Sequence, residues 1–173
     1  MSLVTRRQFI KVGLAGAMVF AAARMLDRPS AAAPSRYRAL DEQAAATVAA
    51  FVPVILAGSL PEEPGARSLA IREVVEAFDR AVSGLALTTQ EEVIQLFSFL
   101  HFAPTRVAFA GLWAPVVDSS REELTAFLQR WRASRFDLQR ASYHALTQLI
   151  QAAWYGNASS WTAIGYPGPP QIA

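Results

Sequence analysis

The apolar residues of this chain recur three and four positions apart along most of its length. Ile71, Val74, Val75, Phe78 and Val82 stand at i, i+3, i+4, i+7 and i+11, so the 3.6-residue period of a helix brings all five to one face. Val93, Leu96, Phe97 and Leu100 repeat the pattern, as do Leu124, Phe127, Leu128 and Trp131. A strand would send neighbours within such a set to opposite faces, and no strand-period stretch of convincing length occurs. Segments of this kind bury their stripes only against one another. The expected fold is therefore all-α: an irregular bundle of about five helices.

Punctuation divides the pattern. A first helix is predicted over about 40–52, with Asp41 and Glu42 near its positive end and Pro53 breaking or kinking it. "ILAGSLPEEPGAR" then reads as a Gly/Pro connector, and a second helix as 68–82, stopped by Gly84. Thr89 with Glu92 offers a capping box for a third, which Pro104 ends or restarts as a short helix through Trp113. Ser120 with Glu123 is a second box, and Ser134 with Asp137 a weaker third that opens a long helix to about Tyr155, with Phe136 on its buried face and Gly156 closing it. Beyond it, "NASSWTAIGYPGPPQIA" sets Trp161, Ile164 and Tyr166 among Gly165, Pro167, Gly168, Pro169 and Pro170. Its prolines favour an extended path that loses little backbone freedom when a partner orders it.

The N-terminus is different in kind. "VTRRQFIKVG" precedes VGLAGAMVFAAA, an uncharged run of a dozen residues. At about 1.5 Å per residue it reaches only about 18 Å, short of the roughly 30 Å of a bilayer core. A basic start, a short apolar middle and the small-residue end RPSAAAPS describe an export signal, with the cut expected after Ala32. Thr5-Arg6-Arg7-Gln8-Phe9-Ile10-Lys11 follows the twin-arginine pattern, with Arg6, Arg7, Phe9 and Lys11 as its signal residues. The expected organisation is a signal peptide over 1–32, a helical domain over 33–156 and an extended tail over 157–173. An uncut leader would instead be a membrane anchor, and the intact mass of the exported protein separates the two.

Of the sixteen basic residues five lie in the leader, along with one of the fourteen acids, which leaves eleven against thirteen in the domain. A slightly acidic domain has no footprint for nucleic acid. Without cysteine there is no C-x-x-C-H haem attachment and no thiolate for an iron–sulfur cluster. The three methionines, Met1, Met18 and Met25, all belong to the leader. No Gly-rich dinucleotide loop, phosphate loop or G-x-S-x-G elbow is present. His101 and His144 remain as candidate bases or ligands, yet no H-x-x-x-H or E-x-x-H spacing joins them, and satisfied core or interface histidines are the plainer expectation. Glu91-Glu92 and Glu122-Glu123 read as first-turn carboxylates. Arg130, Arg132, Arg135 and Arg140 read as a solvated face, with a docking patch as the alternative. Phe97, Phe99, Phe102, Phe109 and Trp113 are too many for one helix face, so some meet a second layer or a partner.

"ATVAAFVPVILAGSLPEEPGARSLAIREVVEAFDRAVSGL", with Pro61, Pro64-Gly65-Ala66 and Phe78-Asp79, and the ending "AAWYGNASSWTAIGYPGPP" together resemble the small subunit of gluconate 2-dehydrogenase, subunit 3. Between them, "SFLHFAPTRVAFAGLW" departs from that pattern. The resemblance implies a non-catalytic accessory subunit with no cofactor of its own. It would support the folding, stability and twin-arginine co-export of a large flavoprotein of the glucose–methanol–choline type. FAD would sit in that partner, a cytochrome c subunit would often accept its electrons, and the complex would work in the periplasm, held near the membrane by its other parts. Trp154, Tyr155, Trp161, Tyr166 and Pro167 are the residues expected to hold the large subunit. The competing expectation is a stand-alone periplasmic enzyme or ligand-binding protein that uses His101 or His144.

Overall fold

Five helices of twelve residues or more, joined by short capped turns, make up most of residues 35–161 and 165–168, which the computed structural model describes. The leader, with Arg6, Arg7, Phe9, Lys11 and the cut after Ala32, lies outside the described residues, as do Ile164, Pro169 and Pro170. Among the described residues there is no strand, and no single helix is long and apolar enough to cross a membrane.

Helix α1 (Glu42–Ile55) starts where the Asp41 carboxylate accepts the Ala44 N–H at 2.6 Å. It does not stop at Pro53. Phe51, Val52 and Leu56 are all buried, so packing carries the helix two residues past a proline that costs it a hydrogen bond. The Pro53 carbonyl is taken by Arg121 Nη2 at 2.7 Å. Helix α2 (Pro64–Ser83) begins four residues before its predicted start. Pro64 occupies the first turn, where a missing N–H is harmless, and the Glu63 carboxylate accepts from Gly65 and Ala66. Val74, Val75, Phe78 and Val82 are buried as their spacing requires.

Helix α3 (Leu87–His101) starts ahead of Thr89, and the Thr89–Glu92 box is not made. The Ala86 carbonyl takes the Thr89 and Gln90 N–H groups, while the Gln90 side chain reaches back to the Ser83 and Leu85 carbonyls. After Phe102 a short turn (Ala103–Thr105) widens into a π-helical turn (Arg106–Ala110), which Gly111 ends at φ 64°. Such a conformation suits glycine. A 3₁₀ turn (Val116–Asp118) leads to helix α4 (Arg121–Arg132), where both bonds of the Ser120–Glu123 box are present. Helix α5 (Asp137–Tyr155) lacks the Ser134 cap, because that hydroxyl serves Phe136 N–H and Gln139 instead. Phe136 is 53 % exposed rather than on the buried face. A last turn, α6 (Ala158–Trp161), replaces the start of the predicted extended tail.

Helix α2 packs along α5, α1 lies against α2, and α4 closes on α5. Between them Phe51, Phe127, Trp131 and Phe109 stack in sequence, with ring centres 5.7, 4.5 and 5.8 Å apart. Phe78 meets Phe97 edge-on at 6.1 Å, which ties α2 to α3.

Candidate docking site

The described C-terminal residues, 155–161 and 165–168, fold back on Tyr155 as a hook. Trp161 donates its indole N–H to the Tyr155 carbonyl at 2.9 Å, and the Tyr166 N–H returns to the Trp161 carbonyl at 2.9 Å. The Trp161 and Tyr166 rings meet edge-to-face at 5.3 Å. Two glycines permit the turn. Gly165 and Gly168 have φ of 69° and 102°, and a Cβ on Gly168 would sit 3.2 Å from the Trp161 ring. The hook is latched to α2, where Glu73 Oε2 accepts from Asn157 Nδ2 at 2.9 Å and from Ser159 Oγ at 3.0 Å. Tyr155, Tyr166 and Pro167 face solvent and Trp161 is half-buried. Trp154 is 3 % exposed and belongs to the core, so it offers no surface to a partner.

Asp79, on the same helix as Glu73, secures the segment that enters α1. It is 4 % exposed and accepts three consecutive backbone N–H groups, from Arg38 at 2.9 Å, Ala39 at 2.9 Å and Leu40 at 3.0 Å. A carboxylate in such a nest satisfies donors that no helix reaches. It holds the segment entering α1 against the middle of the bundle. Local pattern does not reveal this pairing, because the partners are about forty positions apart.

The histidines do not form a common site. His101 ends α3 and lines a cleft of about 260 Å³ with Asp41, Ala44, Phe97 and Ser98. Its Nε2 lies 2.8 Å from Thr47 Oγ1, and that hydroxyl also contacts the Gln43 carbonyl at 3.0 Å. Thr47 has one proton; donated to Gln43, it leaves the threonine oxygen to accept from His101. Burial holds the imidazole below its ordinary value, with Arg106 adding to the effect and Asp41 and the Gln43 carbonyl opposing it. His144 is exposed on α5 against Tyr143, and is not among the residues of the His101 cleft. Among the described residues no three histidine or carboxylate groups are placed to hold a metal.

Of the four arginines, two work within the chain. Arg130 Nη2 reaches the Ala110 and Gly111 carbonyls, and Arg140 binds the Ser134 carbonyl and Asp137. Arg135 lies over the Phe136 ring at 4.9 Å. The aromatic crowd divides sharply. Phe97 is buried, Phe99 and Phe109 pair at 6.1 Å, and Trp113 is 84 % exposed. Phe99 and Phe109 also line an apolar groove of about 540 Å³ between α3 and α5. Local sequence does not set Trp113 apart: Leu112, beside it in the same Gly111–Pro115 loop, is buried at 4 %. Compared with known protein families, with curated proteins and with solved structures, the chain matches none.

Proposed function

We propose that this chain is the small, non-catalytic accessory subunit of an exported FAD-dependent dehydrogenase, acting in the folding, stability and twin-arginine co-export of a large flavoprotein. The observation that carries the proposal is the C-terminal hook. The W-x-x-I-G-Y-P-G-P stretch behind the family resemblance includes Trp161 and Tyr166, which are pre-arranged by hydrogen bonds, with Tyr155, Tyr166 and Pro167 facing solvent. Aromatics held in place lose little freedom on binding and suit the anchor of an interface. The leader's twin arginines supply the export half of the proposal. In the competing proposal, a stand-alone enzyme using His101 or His144, His101 would first have to leave Thr47.

Replacing Arg6 and Arg7 together by lysine tests it in the native host. FAD-dependent dehydrogenase activity, assayed with an artificial electron acceptor, is expected to fall in the periplasm while the large flavoprotein stays in the cytoplasm. Undiminished periplasmic flavoprotein would refute co-export.

A further inference from the structure

We propose that the Trp113 loop is a second docking anchor, and that its occupant is an apolar pocket rimmed by carboxylates on the same large subunit; the inference rests on the accessory-subunit reading above. Trp113 is the most exposed large apolar side chain among the described residues, at 84 %. The loop that carries it is firmly braced. Leu112 and Val116 on either side are buried, at 4 % and 3 %. Gly111 turns the chain at φ 64°, and Arg130 Nη2 bonds its carbonyl at 3.4 Å and that of Ala110 at 3.3 Å. Arg106 Nη2 reaches the Trp113 carbonyl at 3.4 Å, while its Nη1 takes the His101 carbonyl at 2.9 Å. A loop whose backbone is fixed beforehand need not be ordered on binding, which is how interface anchors gain affinity.

The charge at the base of the loop defines the partner's chemistry. Arg106 is 6 % exposed, its Nε has no partner, and its other contacts are carbonyl oxygens. Among the described residues neither Arg106 nor Arg130 lies in an ion pair. Burying an unpaired guanidinium is unfavourable, and a nearby carboxylate from outside would relieve it. A second copy of this chain fits poorly, because a two-fold contact centred on Trp113 would bring two such cationic bases together. A short peptide fits poorly as well. The loop's stem meets α5 at Gln139, whose Nε2 donates to the Phe109 carbonyl at 2.7 Å, and the hook leaves α5 at Tyr155. The helix between is roughly 24 Å long, so a partner engaging both anchors is a folded subunit.

The test captures the flavin-bearing partner with tagged wild-type protein and with Trp113→Ala, Ala114→Glu and Ala114→Lys, and measures oxidative labelling of Trp113 free and in the complex. Trp113→Ala and Ala114→Glu are expected to weaken capture, the former about 30-fold, a typical anchor loss. Ala114→Lys is expected to preserve capture, unfolding curves to stay unchanged, and Trp113 to be protected only in the complex. Equal capture by Trp113→Ala, with Trp113 labelled as freely as in the free protein, overturns the docking proposal and leaves the accessory-subunit reading standing. No flavoprotein with the wild type overturns both. Protection of Trp113 by anionic phospholipid vesicles alone, or a concentration-dependent dimer abolished by Trp113→Ala, also overturns it, by assigning the loop to a bilayer or a second copy.

Discussion

Replacing Asp79 by alanine removes the sole acceptor described for three backbone donors, and the cost follows from where each donor is left. The Arg38 and Ala39 N–H groups lie on residues that are exposed and half-buried, so water replaces the carboxylate. Each loses about the net value of one hydrogen bond, roughly 1 kcal/mol. The Leu40 N–H belongs to a residue 3 % exposed and is stranded, which adds about 1–3 kcal/mol. The expected total is about 3–5 kcal/mol. For a domain of this size that lowers Tm by roughly 10–20 °C. Asp79→Asn keeps one oxygen for Ala39 and Leu40 but turns an amide NH₂ toward Arg38, so its loss is expected to be about half. Urea unfolding of the purified protein, followed by circular dichroism at 222 nm, measures both. A loss below about 1 kcal/mol for Asp79→Ala, or an Asn variant as damaged as the Ala variant, would show that the nest does not hold this segment.

Three further outcomes follow from single contacts. His101 is held below its ordinary value chiefly by burial, so the unfolded chain binds the proton more readily; stability is full above pH 6.5 and falls as pH drops through the folded value. Thermal melts from pH 7.5 to 5 are expected to show that slope in the wild type and a smaller one in His101→Gln. Glu73→Ala is expected to free the hook at a cost under about 1 kcal/mol, seen as faster hydrogen exchange at the Tyr166 amide, whereas Glu73→Gln retains an acceptor and the protection. Gly156→Ala places a Cβ 2.8 Å from the Ala152 carbonyl oxygen and is expected to destabilise by about 1–2 kcal/mol, while Gly84→Ala, whose nearest neighbour is 3.5 Å away, is expected to be neutral or mildly stabilising. Chemical denaturation of the two glycine variants separates these outcomes.

What the sequence reveals is what depends on neighbours three or four positions away. The stripe from Val74 to Val82, the Ser120–Glu123 box and the close of α5 at Gly156 are all of that kind, and the all-α fold follows from them. Errors arise where a competing contact or burial overrides the signal of a single residue. Pro53 fails to stop α1 because buried Phe51, Val52 and Leu56 hold the next two residues in place. Thr89 loses its cap because Ala86 and Gln90 already close the α2–α3 junction. Ser134 spends its hydroxyl on Gln139 and Phe136. The candidate site divides the same way. Composition identifies the aromatic tail, but burial of Trp154 and exposure of Trp113 depend on tertiary placement that no local period encodes.

The measurement closest to the central claim is the absorbance spectrum of what co-purifies with the tagged protein expressed from its native locus. The account predicts a larger protein in the eluate that carries the visible absorbance bands of an oxidised flavin cofactor. A colourless, well-behaved monomer would contradict it, and His101 and His144 would become the residues to replace.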